Sequence, residues 1–289
     1  MRVTESNHGK PYDRPRDRVT IRTLQKMARD AEPFACLTCY DATTARWLDR
    51  AGVHVLLVGD TAAEIVLGFD STIHMPLDFA ITLTAGVKRG APNTMVMGDM
   101  PFMSYQADDA EAIRNAGRFI TEGLADIVKL EADASFAPLV EKMTRAGIPV
   151  CGHVGSKPQQ SGLTGGYTSS GRTAKSAEQV VLDAIELERA GCTLLLVEAV
   201  PPEVTEAITE RTTVPVIGIG AGPSCHGQIL VLHDLLGMSK WQPKFAAAAC
   251  EMGPEIERHA KNWVRKVACR EVTDHRYQMK TGESNIFKG

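Results

Sequence analysis

Residues 127–154, IVKLEADASFAPLVEKMTRAGIPVCGHV, contain one whole strand–helix–strand unit. The outer segments, Ile127–Glu131 and Pro149–Val154, are short and almost continuously apolar. Such runs mark strands covered on both faces, as in a parallel sheet. Between them FAPLVEKMTRAG spaces its apolar residues three and four apart, and Gly147 stands where a helix ends. Working outward in both directions, the unit recurs. Apolar runs at Phe34–Tyr40, Val53–Asp60, Thr94–Asp99, Leu194–Glu198, Pro215–Gly220 and Ile229–His233 bring the expected strands to eight, and DATTARWLDRAG, AEAIRNAGRFITEGLA and AEQVVLDAIELERAG are helix-periodic. Strand–helix repeated in this way, with right-handed crossovers, closes into a (β/α)8 TIM barrel. The last strand is the least distinct, because GQILVLHDLLG reads equally as the opening of a helix. The expected organisation is a flexible arm over residues 1–18, one barrel domain over 19–270 that ends in a helical extension at Phe245–Arg270, and a polar C-terminal tail over 271–289. Gly155–Arg172 is rich in Gly, Ser, Thr and Gln without periodicity, and reads as a long active-site loop after the fifth strand.

A chain of 289 residues suits such a barrel, which needs about 250. Its 32 basic and 35 acidic residues nearly cancel, so nothing predicts an electrostatic grip on nucleic acid or an anionic membrane. The opening MRVTESNHGKPYDRPRDR is polar and lacks the apolar core of a signal peptide. No apolar run approaches the roughly 18 residues of a membrane helix. Seven cysteines are scattered; Cys36 and Cys39 form a C-x-x-C inside the apolar FACLTCY with no second pair, and read as core cysteines rather than a metal or redox site. Reduced thiols fit a cytoplasmic location.

Polar residues gather at the C-terminal ends of the strands: Asp60 and Thr61 after the second, Asp99 on the third, Lys129 and Glu131 on the fourth, His153 on the fifth and Glu198 on the sixth. In a barrel these ends meet on one face, where the active sites lie. A charge at the end of an apolar strand is costly unless it is paired or metal-bound. Asp60, Asp99 and Glu131 are hard oxygen donors with only one His nearby, a set suited to Mg2+ rather than zinc. A 2-oxo acid could fill open positions on that metal, which would stabilise the enolate left when a proton departs. Lys129 points the same way as Glu131, two residues on, and either holds a substrate carboxylate or pairs with a neighbouring acid. Glu198 emerges from LLLVE, where burial would raise its pKa as a general base requires. His153 bonds a substrate oxygen or a backbone carbonyl. The GIGAG run, Gly218–Gly222, makes a tight turn or a close backbone approach, whereas Asp70–Thr72 and Arg89 read as structural. The residues therefore point to an enzyme that makes or breaks a carbon–carbon bond beside a 2-oxo acid.

The stretches LTCYDATTARWLDRAG, LLVGD, LGFDST, KRGAPNTMVMGDMPFMSY, VKLE, GIPVCGHVG, LLLVEAVPPEV and VPVIGIGAG follow one another along the chain, and through them it resembles the ketopantoate hydroxymethyltransferase family of the phosphoenolpyruvate/pyruvate-barrel superfamily. The resemblance implies transfer of a hydroxymethyl group from 5,10-methylenetetrahydrofolate to 3-methyl-2-oxobutanoate, giving 2-dehydropantoate on the route to pantothenate and coenzyme A. It implies Mg2+ on Asp60, Asp99 and Glu131, the oxo acid against Asp60, Thr61, Asp99 and Lys129, His153 beside it, Glu198 as proton acceptor, and a homo-oligomer, a decamer. The chain departs from the family pattern in several places. Thr61 replaces Ser and is followed by AAE instead of LGM; Ala132 and Asp133 replace two glycines; GSKPQQ at Gly155–Gln160 replaces GLTPQS; His226 replaces the Asp of DGQ. Two other readings compete: a metal-dependent 2-oxo acid lyase of the same superfamily, and a non-catalytic barrel that binds or assembles.

Overall fold

The structure is a computed structural model and describes residues 17–239, 242–272 and 277–288. Residues 1–16 of the expected arm lie outside the described residues. Eight strands, β1 (Phe34–Thr38), β2 (Val55–Val58), β3 (Met95–Asp99), β4 (Ile127–Glu131), β5 (Val150–Gly155), β6 (Leu194–Glu198), β7 (Val216–Ile219) and β8 (Gly227–Leu230), form a closed barrel in sequence order, every neighbouring pair parallel. The helices are α1 (Ile21–Arg29), α2 (Ala42–Arg50), α3 (Ala62–Ile65), α4 (Leu77–Gly90), α5 (Asp109–Thr121), α6 (Ala137–Arg145), α7 (Ser161–Thr164), α8 (Ala174–Arg189), α9 (Pro202–Arg211), α10 (Leu232–Leu235), α11 (Met252–Ala268) and α12 (Glu283–Lys288). Several begin on a side chain that satisfies the free N–H groups of the first turn: Asp41 accepts from Thr43 and Thr44, Asp108 accepts from Glu111, and Thr20 and Thr173 form reciprocal caps.

Alternation along each strand divides the core in two. Cys36, Val55, Leu57, Met95, Met97, Ile127, Cys151, Leu194, Leu196, Ile217 and Ile229 fill the barrel interior. The intervening residues, such as Val96, Val128, Leu130 and Leu195, pack under the outer helices. Each side chain fully removed from water here contributes about 1.5–3 kcal/mol. Val19 and, from α1, Leu24 and Met27 join the interior cluster and plug the N-terminal end of the barrel, an element for which the sequence reading had no place. Cys36 and Cys39 are buried core thiols, as read.

Three expectations need correction. β8 begins two residues earlier and ends at Leu230, and the run predicted as strand through His233 turns into α10: GQILVLHDLLG is a strand followed by a helical turn. The region Phe245–Glu251 is irregular and helix starts only at Met252, while the tail contains α12. Gly155–Arg172 is less featureless than its composition implied, since Pro158–Gln160 forms a 3-10 turn and Ser161–Thr164 is α7. Around the barrel the covering layer is uneven. On the β8–β1 wall Ala35 and Gln228 are exposed, and α11, the long helix that follows, has no buried residue. Among the described residues no helix is long and apolar enough to cross a membrane.

Candidate active site

The alternation that fills the barrel also builds the site. Continuing the inward rows one step past Met97, Ile127, Cys151 and Leu196 reaches Asp99, Lys129, His153 and Glu198, and a further step on β4 reaches Glu131. Register then fixes the neighbours: Asp99 lies opposite Lys129, Glu131 opposite His153, and Gly155 opposite Glu198. Gly155 has φ +96, and a Cβ there would meet the Glu198 carbonyl oxygen at 2.4 Å, so β5 passes the candidate base only as glycine. At the end of β7, Gly220 allows Phe245 to lie against the backbone as part of the cavity wall.

Lys129 Nζ is 2.5 Å from Asp99 Oδ1, with both side chains buried. The ion pair left open by the sequence therefore exists, with Asp99 as partner. Asp99 Oδ2 accepts from the Asp60 backbone N–H at 3.1 Å, which ties the end of β2 to β3. Gln159, buried on the loop after β5, donates from its backbone N–H to Glu131 Oε2 at 3.0 Å and from Nε2 to Asp60 Oδ2 at 3.0 Å. Tyr105 Oη lies 2.9 Å from Gln159 Oε1. Thr61 Oγ1 shares a 2.6 Å hydrogen bond with Tyr40 Oη. His153 Nε2 is 3.3 Å from Glu198 Oε2 and Nδ1 is 4.0 Å from Glu131 Oε1, yet neither buried ring nitrogen makes an aligned hydrogen bond among the described residues.

Burial, and then the charge of Asp99, push the Asp60 carboxyl up to about 7, with Lys129 and Gln159 acting against the rise. Burial drives Glu131 well above the carboxylate range. It works against the Lys129 ammonium too, but Asp99, Asp60 and Glu131 outweigh it and hold Lys129 protonated. The His153 pKa is lowered by burial, so the ring is neutral at pH 7. Glu198 differs from expectation: it leaves its apolar strand with 23% of the side chain exposed, and so is open to the cavity rather than buried.

Asp60, Thr61, Asp99, Lys129, Glu131, His153 and Glu198 all line one cavity of about 1230 Å³ at the C-terminal mouth. Asp70, Thr72 and Arg172 line it as well, so Asp70 and Thr72, read as structural, stand at the mouth. At the strand ends, Asp60, Asp99, Glu131 and Glu198 face Lys129 and His153, an oxygen-rich set that fits a hard divalent cation by donor chemistry and charge. It is not a ready-made cage: among the described residues, no three Asp, Glu, His or Cys side chains are grouped as ligands of one ion. Mg2+ commonly takes one or two carboxylates and completes its shell with water and substrate. Gln159, Tyr40 and Tyr105 are the site residues that sequence reasoning missed. A buried Gln in a polar loop has no periodicity to mark it, and the two tyrosines sat within motifs read only for resemblance.

The ketopantoate hydroxymethyltransferase family matches residues 18–274. The 3-methyl-2-oxobutanoate hydroxymethyltransferase of Shouchella clausii is 41% identical over 92% of this chain and 95% of its own. Those of Mycolicibacterium paratuberculosis (44%, 88% of this chain and 89% of its own) and Halorhodospira halophila (46%, 80% and 83%) are similarly close. Among solved structures, a phosphonopyruvate hydrolase in complex with oxalate and Mg2+ superposes with TM-score 0.62 at 11% identity, covering 93% of this chain and 96% of that one, and a 2,3-dimethylmalate lyase with TM-score 0.57 at 16% identity, covering 93% of each; these share the fold. With the match spanning the whole barrel and relatives above 40% identity covering four fifths or more of it, the chain belongs to the ketopantoate hydroxymethyltransferase family.

Proposed function

We propose that the chain transfers a hydroxymethyl group from 5,10-methylenetetrahydrofolate to 3-methyl-2-oxobutanoate, giving 2-dehydropantoate for pantothenate and coenzyme A synthesis. The observation that carries this reading is one open carboxylate, Glu198, sharing a cavity with buried carboxylates arranged around Lys129. The names of the curated relatives support the oxo acid; the folate donor follows from the family resemblance. Glu198 takes the proton from C3 of the oxo acid, and the carbon it leaves attacks the methylene carbon of the donor. Both carbon–nitrogen bonds of that carbon break, water supplies the hydroxyl oxygen, and tetrahydrofolate leaves carrying the protons. Lys129, held by Asp99, offers its remaining N–H groups to the substrate carboxylate. His153, neutral and without an aligned partner, offers an N–H to a substrate oxygen or to Glu198. Asp60, Asp99 and Glu131 would hold Mg2+. Bound there, the cation would offset the negative charge that develops on the oxo oxygen.

Deuterium exchange tests this directly. Protein, Mg2+ and 3-methyl-2-oxobutanoate are incubated in heavy water without folate, and the C3 proton is followed by NMR. Metal-dependent loss of that signal is the expected result, with Glu198→Gln slowing it by about 10²-fold or more. Absence of exchange in folded, metal-loaded protein would hand the lead to the 2-oxo acid lyase. Adding 5,10-methylenetetrahydrofolate then tests the donor through formation of 2-dehydropantoate.

A homo-oligomer belongs to the same reading. The apolar residues Ile256, Trp263, Val264 and Val267 on α11 are exposed, as are Ala35 and Gln228 on the β8–β1 wall; a second copy of the chain covers both. A cytoplasmic location is also part of the reading, supported by seven free cysteines.

A further inference from the structure

Gln159 bonds two carboxylates that come from strands with a third strand between them. Its backbone N–H reaches Glu131 on β4, and its side chain reaches Asp60, just past β2. Its Nε2 also donates to the Met100 carbonyl at 3.0 Å, after β3, so one loop residue bridges three consecutive strand ends. One oxygen of each carboxylate, Asp60 Oδ1 and Glu131 Oε1, stays without a hydrogen bond among the described residues. The loop that carries Gln159 is tied down on either side of it. Lys157 Nζ pairs with Asp133 Oδ2 at 2.8 Å, two residues beyond Glu131, with both groups largely shielded. Tyr167 Oη donates to Glu64 Oε1 at 3.1 Å, on α3 directly after Asp60 and Thr61. These ties run to the same two strand ends whose carboxylates Gln159 holds.

We propose that Gln159 is a positioning residue for the cation-binding carboxylates: it fixes the rotamers of Asp60 and Glu131 by occupying one oxygen of each, so the carboxylate set forms only when the loop over residues 156–167 is docked by the Lys157–Asp133 pair. The proposal rests on the reading of these carboxylates as a divalent-cation site. Partners that orient metal-binding side chains affect affinity by about 10–100-fold when they are removed.

The test is calorimetric titration of the full-length protein with Mg2+ alone, so that no turnover is involved. Gln159→Leu is expected to weaken Mg2+ binding by about 10–100-fold. Unchanged affinity overturns the proposal. Lys157→Met and Asp133→Asn act from outside the cavity, and each is expected to weaken binding in the same direction. Combined, they should cause no further loss, and the exchanged pair, Asp133→Lys with Lys157→Asp, should restore affinity. Merely structural damage would not be rescued by reversing the pair. If Gln159→Leu fails to fold, these outer variants decide; wild-type affinity in all of them overturns the role of loop docking. A wild-type protein that binds Mg2+ but does not exchange the C3 proton removes the functional reading and leaves the proposal to the titration. A wild-type protein that binds no Mg2+ overturns the proposal, with the exchange assay judging the function separately.

Discussion

His226 carries a side chain that does a quiet structural task. Its Nδ1 accepts the Val216 backbone N–H at 3.0 Å, at the start of β7, so the departure from the family's DGQ keeps an acceptor in place. Only the neutral ring can accept there, and burial lowers its pKa. The unfolded chain therefore takes up a proton near pH 6.5 that the folded chain refuses, and this part of the stability is lost as pH falls below that value. His226→Asn retains an acceptor that does not titrate. Its unfolding midpoint in urea should change less between pH 7 and pH 5 than that of the wild type; parallel curves would remove His226 from the acid response. At this scale the sequence was informative wherever a charged residue ended an apolar run: Asp60, Asp99, Lys129, Glu131, His153 and Glu198 all line the one cavity. It was misleading about the openness of Glu198, because exposure depends on how far a strand end projects above its neighbours. It was silent about Gln159, whose burial is set by the docking of a loop.

At the level of elements, the alternation of near-continuous apolar runs with helical periodicity sufficed for the barrel, since both signals come from local burial. The edges were less legible. β8 and α10 abut with Val231 between them, so no polar break separates the two periods. Asp133 and Lys157, noted separately as departures from the family pattern, are one ion pair, a relation that register creates and spacing cannot reveal. Register also makes a prediction about β5. Gly155→Ala forces a side chain into positive φ and against the Glu198 carbonyl, a strain of about 1–3 kcal/mol. Thermal unfolding should register that loss, and C3 proton exchange should slow because the candidate base is displaced. Wild-type exchange with reduced stability would mean that β5 yields and β6 does not.

For the whole molecule, the uneven covering of the barrel bears on assembly. A helix of 17 residues with no buried side chain gains little from packing on its own barrel, and helices owe most of their stability to such packing. If the proposed homo-oligomer forms through α11, deleting the chain from residue 251 onward should give smaller species in sedimentation velocity than the full chain does, while the barrel keeps its fold. An unchanged sedimentation coefficient per protomer assembly would place the contact elsewhere.

The barrel interior is filled by strand side chains, and Val19, Leu24 and Met27 close its N-terminal end, so the molecule is a cup and not a pipe. With the N-terminal end filled, traffic passes through the mouth at the other end, and the charged groups lie at the bottom of that mouth. A small oxo acid settled against them is beneath anything larger that follows. For the proposed reaction this shape predicts a compulsory sequence, oxo acid first and one-carbon donor second on loading, and tetrahydrofolate before the hydroxymethylated acid on unloading. Product-inhibition kinetics reports this order: the acid product should compete with 3-methyl-2-oxobutanoate, and tetrahydrofolate should not. The shape of the closed end thus sets the timetable at the open one.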